Sequence, residues 1–396
     1  MQRVRILLLT HSFWPDISPP QRRWGVFTRE FASAGHQIDV VAPKVFDQNL
    51  LRISQRLAPP EGVTVYRYPS IRKPGTMLGK LLKHAIDALR SIPTALRTPR
   101  PQIVIATVPA IPTLAVGYLV SRMRRTPFVV DLRDAWPDLL QDSQVLRLAW
   151  LEPLVSRMLT FMIHRSDLVV TVSEGFAQKL MSEGARKAIT ISNGVDIDRY
   201  GMDLLTTQRG EKLRVLYLGN LGRSQGLDLV IRAAALAKSN VQLRIVGQGT
   251  EITNLRQLAA GLDVDVDFKD PVYGPSVLDN YAWADTCLVT LRSDWDSFEH
   301  TIPSKLYELL FLDCHITGLV KGEAAEIIRA SRSGQVIEQS DRALAEHFLN
   351  LYAERRLLRT GHAGSKWVRR NAALPTLGQQ YLRELKWLTD RYQESK

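Results

Sequence analysis

Residues 213–247 read LRVLYLGNLGRSQGLDLVIRAAALAKSNVQLRIVG, and this stretch decides the fold. Leu213–Leu218 is a short apolar run ending at Gly219, as expected of a strand buried on both faces. Leu227–Lys238 carries its apolar residues at helical spacing. Val241–Val246 is a second buried run, again ending in glycine. A strand, a helix and a strand in that order need a crossover, so the two strands are predicted to be parallel. The alternation continues downstream through Asp265–Phe268, Thr286–Thr290 and His315–Val320. It is also present upstream: Arg5–Thr10, a helix over Trp24–Ala34 closed by Gly35, then Gln37–Ala42, Ile103–Ala106, Pro127–Asp131 and Leu168–Val172. The expected fold class is α/β, with two doubly wound, Rossmann-like domains facing across a cleft. The predicted domains are 1–203 and 204–374, joined by a polar linker near Gly201–Glu211. Residues 375–396 read as a long helix crossing back onto the first domain.

Charge separates the two halves. Residues 1–200 hold 27 Lys and Arg against 16 Asp and Glu, and residues 201–396 hold 25 against 24. A basic first half implies a polyanionic partner. No helix-turn-helix, zinc-ligand or RNA-binding aromatic signature accompanies it, so nucleic acid is not expected. The anionic face of a membrane is the better partner. Residues 71–100 alternate Arg72, Lys73, Lys80, Lys83 and Arg90 with Met77, Leu78, Leu81, Leu82, Ile86 and Leu89. That stripe faces either a bilayer or the domain core. Gln102–Ser121 lacks charge but holds Pro109 and Pro112, and reads as a strand, a loop and a helix rather than a membrane span. The two cysteines, Cys287 and Cys314, read as small buried hydrophobes in a reduced compartment. No secretory signal is visible at the start of the sequence, and a cytoplasmic location is expected.

Open α/β sheets bind ligands beyond the carboxyl ends of their strands. In the second half those ends carry Gly219, Asn220, Gly222, Arg223 and Gln225, then Gly247 in a second glycine turn. Either an ordinary turn or close backbone approach to a diphosphate explains the glycines. The segment Thr301-Ile302-Pro303-Ser304-Lys305-Leu306-Tyr307-Glu308 is more specific. Pro303 favours a helix start, where free N–H groups face an anion. Lys305 adds a full charge. Glu308 lies one turn beyond Ser304 on the same face, placed to accept hydrogen bonds from a ribose diol. In the first half, His11, Phe13 and Trp14 follow the first strand. The aromatics either stack on a sugar or pack under the loop. Ser18–Arg23 reads as a stiff loop, with Arg22 and Arg23 offered to a phosphate. Arg133, Asp134 and Trp136 follow another strand, placed to position an acceptor hydroxyl or to make an ion pair. Asp263, Asp265 and Asp267 alternate along one strand face and read as a solvated edge, so no metal site is expected.

These motifs, with Asp131–Pro137, Ser192–Asp196 and Gly322–Glu326, resemble those of the retaining GT4 glycosyltransferases of GT-B fold, nearest to a WbuB-like branch of O-antigen and capsule assembly. The resemblance spans almost the whole chain. It implies metal-independent transfer, with retention, from a UDP-type nucleotide sugar to a polyprenyl-diphosphate-linked acceptor at the inner membrane face. An N-acetylated or deoxy hexosamine is the implied sugar. Glu308 then corresponds to the second carboxylate of the family's Glu-x7-Glu pair, and His300 occupies the position of the first. Two other readings use the same shape: a nucleotide-sugar-binding partner subunit without catalysis, and a nucleotide-sugar epimerase. Transfer to lipid, binding without turnover, and a change of sugar identity without acceptor tell the three apart.

Overall fold

The computed structural model describes residues 3–15, 19–46, 59, 61–71, 77–108, 111–133, 152–199 and 210–394. The chain divides into two compact units, Met1–Asp196 with Leu374–Lys396, and Ile197–Ala373.

Among the described residues, the first unit carries a parallel sheet of β1 (Arg5–Leu9), β2 (Gln37–Pro43), β3 (Val63–Tyr68), β4 (Ile103–Val108), β5 (Phe128–Leu132), β6 (Leu168–Thr171) and β7 (Ala188–Thr190). Their order is β3-β2-β1-β4-β5-β6-β7. Helices α1 (Pro19–Ser33), α2 (Met77–Arg97), α3 (Ile111–Arg124), α4 (Glu152–Arg165) and α5 (Glu174–Ser182) cover it. Successive strand residues point to opposite faces. Ile6 and Leu8 therefore join one core with Trp24, Phe27 and Phe31 of α1. Leu7 and Leu9 join another, with Leu114 and Val120 of α3, Leu159 of α4 and Phe176 of α5. Helix α1 starts earlier than its apolar spacing indicates, so Pro19–Arg23 is helix rather than loop. Prolines are tolerated in a first turn, where their missing N–H has no helical acceptor to lose.

The second unit repeats the plan. Its sheet comprises β8 (Leu213–Asn220), β9 (Val241–Gln248), β10 (Val266–Lys269), β11 (Thr286–Thr290), β12 (Ile316–Leu319) and β13 (Gly334–Val336), ordered β10-β9-β8-β11-β12-β13 and parallel throughout. Its helices are α6 (Leu227–Leu236), α7 (Ile252–Gly261), α8 (Pro275–Trp283), α9 (Ser304–Phe311), α10 (Gly322–Ser331), α11 (Asp341–Ala353) and α12 (Ala363–Asn371). The chain then returns to the first unit as α13 (Leu374–Glu394). The Leu374 N–H donates to the Val195 carbonyl, Tyr381 packs with Trp24, Phe27 and Phe31, and Lys187 pairs with Glu384. Among the described residues no helix is long and apolar enough to cross a membrane.

A polar network inside the second unit makes a stability prediction. His315 Nδ1 meets Thr286 Oγ1 at 2.9 Å, Thr286 meets Thr317 Oγ1 at 2.9 Å, and Thr317 meets His347 Nε2 at 3.1 Å. Burial pushes His315 down to about 3 and His347 down to about 4. Both are neutral in the folded protein, whereas unfolded histidines protonate near 6.5. Their contribution is therefore complete above about pH 6.5 and is lost as pH falls toward the folded values. We expect a loss of up to about 2 kcal/mol per histidine by pH 5. Denaturant unfolding at pH 7 and pH 5 checks it: His347→Gln should flatten the acid slope.

Candidate active site

The second unit's candidate site begins where β8 ends. Gly219 has φ +154°, and a Cβ there would lie 2.3 Å from Lys305 Nζ, so only glycine leaves the lysine its seat. Lys305 Nζ donates to the Leu218 carbonyl and lies 3.9 Å from the Tyr217 ring centroid. Burial lowers the ammonium to about 7, with Cys287 and Glu308 pulling weakly the other way. Such a lysine is poised to gain charge when an anion arrives. Gly247 is the register partner of Gly219, and a Cβ on it would collide with the Gly219 carbonyl at 1.9 Å. Gly247 thus serves the close approach of two backbones.

The turn after Gly219 is braced from within. Gly222 N–H donates to Gln225 Oε1 at 3.0 Å, Thr290 Oγ1 donates to the Gln225 carbonyl at 2.8 Å, and Arg292 N–H donates to the Ser224 carbonyl at 2.9 Å. Gln225, one of the expected donor-binding residues, thus has its Oε1 and its carbonyl engaged in holding this turn. Asn220 and Arg223 are exposed.

Helix α9 starts after Pro303, which caps it without any side-chain hydrogen bond. Leu306 N–H donates to the Pro303 carbonyl at 2.9 Å, which leaves the N–H groups of Ser304 and Lys305 at the tip to face an anion. The Thr301 hydroxyl, two residues before Pro303, donates to the Ser297 carbonyl at 2.9 Å and so does not cap the helix. Ile302 is buried and anchors the turn, while Ser304 is exposed at the tip. One turn on, Glu308 Oε2 accepts from the Tyr281 hydroxyl of α8 at 3.2 Å. His300 Nδ1 lies 3.6 Å from Glu323 Oε1. Lys321 Nζ donates to the Ser293 carbonyl at 3.1 Å. Gly322, with φ +53°, lies so close to residue 299 that a Cβ would meet its carbonyl at 2.0 Å. The segment between β11 and α9 is thus stapled to the start of α10.

In the first unit the outcome is divided. His11 is half-buried, Trp14 is partly buried against the core, and Arg22 is exposed. Phe13 is buried at 1% exposure, so it packs under the loop and has no face to offer a sugar. Arg23 is no phosphate ligand either. It is 2% exposed, donates to the Ile191 and Ser192 carbonyls, lies 3.8 Å from Asp131, and sits over the Phe27 ring. An arginine spent in this way is a structural pin, not a phosphate ligand. The reason is one residue of helix phase: Arg22 turns outward and Arg23 inward. Arg133 Nη2 donates to Asn193 Oδ1 at 3.2 Å beyond β5. Asp134 and Trp136 lie outside the described residues.

Tyr217, Tyr281 and Glu323 received no role from the sequence. Tyr281 stands 27 positions before Glu308 on another helix, and no local spacing relates them. Glu323 lies in the Gly322–Glu326 motif, but only the folded chain brings it to His300. Among the described residues no group of three or more His, Cys, Asp or Glu is placed to hold a metal ion. Asp263 pairs with Lys238, and Asp267 with Arg244.

Two Rossmann-like units, the second carrying the start of α9 beside the half-buried Lys305, give the two-unit α/β architecture of the glycosyltransferases that the chain matches. Residues 20–194 match the Glycosyl transferase 4-like domain, and residues 212–354 match Glycosyl transferases group 1. The chain is 26% identical over 282 residues to WcaI of Escherichia coli (strain K12), which carries the name colanic acid biosynthesis glycosyl transferase; the match covers 65% of this chain and 69% of WcaI. Among solved structures it resembles Anabaena Alr3699/HepE in complex with UDP and glucose, with TM-score 0.72 and 17% identity over 97% of this chain and 100% of that one. It also resembles sucrose-phosphate synthase (tll1590) from Thermosynechococcus elongatus, with TM-score 0.75 and 13% identity over 98% and 100%. The chain belongs to the GT4 glycosyltransferases of GT-B fold.

Proposed function

We propose that the chain moves a sugar, an N-acetylated or deoxy hexosamine, from a UDP-type donor to a polyprenyl-diphosphate-linked glycan at the inner face of the cell membrane, in building a cell-surface polysaccharide. The observation that carries this reading is the uncapped start of α9 with Lys305 and Glu308 beside it. A diphosphate at the tip would accept from the first N–H groups of α9 and draw Lys305 into its charged form. Glu308, held by Tyr281, would accept from the ribose hydroxyls. His300, braced by Glu323, stands ready to meet the sugar. As the sugar–oxygen bond breaks, negative charge grows on the departing phosphate, where fixed donors stabilise it most. That phosphate oxygen takes the acceptor's proton and the anomeric configuration is retained. The positive groups named here need no metal ion to assist them. The UDP and glucose held by HepE, and the biosynthetic name of WcaI, support the donor class and the polysaccharide.

Incubation with radiolabelled UDP-sugars and membranes bearing lipid-linked acceptor tests the reading. Label should pass to the lipid fraction, and absence of transfer with every UDP-sugar would refute it. Glu308→Ala should weaken donor binding about 10–100-fold without unfolding, the loss expected for hydrogen bonds to a charged group. Tyr281→Phe should weaken it about fivefold, since it frees the carboxylate that Tyr281 orients. Calorimetric titration with UDP reads both; wild-type affinity in Glu308→Ala would remove that residue from the site.

A further inference from the structure

Helix α2 carries apolar side chains on both faces: Ala95, with Ala88 and Ile92, packs into the core beneath it. The helix's inner row also holds Asp87 and Ser91, both buried, while Leu89 on its outer face is 68% exposed and Leu82 is 55% exposed. Lys83, expected on a cationic rim, is turned inward, with Asp87 and Ser70 as partners. A chain folding against water alone would do the opposite, burying leucines and exposing an ion pair. The adjoining helices follow suit. Leu119 and Met123 of α3 are 43% and 57% exposed, and Met158 and Phe161 of α4 are 46% and 49% exposed. The three helices form one layer over one face of the sheet. Tyr118 of α3 stacks edge-on against Phe161 of α4 at 5.8 Å, and Arg124 at the end of α3 donates to the Leu96 and Thr98 carbonyls at the end of α2.

The charge around this layer is one-sided. Residues 77–125 and 152–165 contain ten Lys and Arg and two carboxylates, Asp87, which is already inside, and Glu152 at the start of α4. Arg90, Arg122, Arg125, Arg157 and Arg165 are exposed among the apolar side chains. The guanidinium groups of Arg122 and Arg165 lie 5.1 Å and 5.4 Å from the centroids of the Tyr118 and Phe161 rings. Apolar side chains interspersed with cations match the boundary between acyl chains and anionic headgroups.

We infer that the outer face of α2, α3 and α4 is the surface by which the protein lies on an anionic bilayer, with Leu89, Met123 and Phe161 entering the acyl boundary. The basic residues supply the preference for anionic lipid and the leucine, methionine and phenylalanine side chains the residual hold at high salt. This specifies the membrane partner proposed above but does not depend on sugar transfer.

The test is co-sedimentation with vesicles of phosphatidylcholine alone and of phosphatidylcholine with 30% phosphatidylglycerol (about this fraction gives a strongly negative surface). Wild-type protein should bind the mixed vesicles and bind the neutral ones at least about tenfold more weakly. Leu89→Glu with Phe161→Glu should lower binding to the mixed vesicles by about tenfold or more, with unchanged circular dichroism and unchanged UDP affinity. Arg122→Gln with Arg165→Gln should lower binding at low salt and flatten its salt dependence. Wild-type protein that ignores both vesicles overturns the membrane partner itself. Wild-type binding that survives Leu89→Glu with Phe161→Glu places the docking face elsewhere. A free protein that sediments as a dimer, and becomes monomeric in that variant, shows that a second copy covers the face instead.

Discussion

Replacing Arg23 by methionine should destabilise the first unit by about 3–5 kcal/mol, the largest stability effect expected in this chain. The guanidinium is the buried counter-charge of Asp131, which is itself 1% exposed. Burial pushes the Asp131 carboxyl up, and the neighbouring Arg23 and Arg133 charges offset this only in part. Without Arg23 that carboxylate would be left in a low-dielectric interior, and the Ile191 and Ser192 carbonyls would lose their donor. Asp131→Asn in the Arg23→Met background should restore about 1–2 kcal/mol, because the charge to be compensated is gone. Urea unfolding of the two single variants and the double variant reads the coupling. Additive losses would mean that the two side chains do not act as a pair.

Lys305→Met should lower kcat about 10²–10³-fold, the effect of removing one preorganised group from a developing negative charge. The same substitution should leave the second unit as stable as before or about 1–3 kcal/mol more stable at pH 7. Burial holds the wild-type ammonium near 7, whereas an unfolded lysine stays protonated to above 10. The charged, buried form therefore costs stability below about pH 7, and that cost fades as pH rises toward 10. The gain in the variant should shrink in the same window. A donor diphosphate favours the protonated lysine, so wild-type UDP affinity should fall as pH rises above about 7. Lys305→Met should lose that dependence. Calorimetry across pH 6 to 9, beside steady-state kinetics, separates this from a structural lesion, which would lower stability and activity together. Equal pH dependence in the variant would exclude Lys305 from contact with the phosphates.

The fold was legible because its signals are local. Val215–Leu218 is an unbroken apolar run, Val241, Leu243, Ile245 and Val246 carry the next strand, and Gly219 and Gly247 close the two strands' apolar stretches. The strands outside this reading are short or atypical. Val63–Tyr68 alternates apolar and polar residues, and Ala188–Thr190 and Gly334–Val336 have three residues each at sheet edges. Of the candidate site, the helix tip at Ser304 and the neighbouring Lys305 and Glu308 were visible, since Pro303 and an i, i+4 spacing lie in one segment. Tyr281 was not, because a hydrogen bond across 27 residues leaves no mark in local spacing.

Sequence alone determined that two parallel α/β sheets would form and that a helix would begin at Pro303, because periodicity, proline and glycine placement act within a few residues. Only the tertiary structure decided which side chains are free to act. Arg22 and Arg23 are adjacent and identical in type, yet one meets solvent and the other is fixed to Asp131. Lys83 has the composition of a surface charge and Leu89 that of a core residue, and the fold reverses them. Burial depends on which face a helix presents to its neighbours, a long-range property that no single segment encodes.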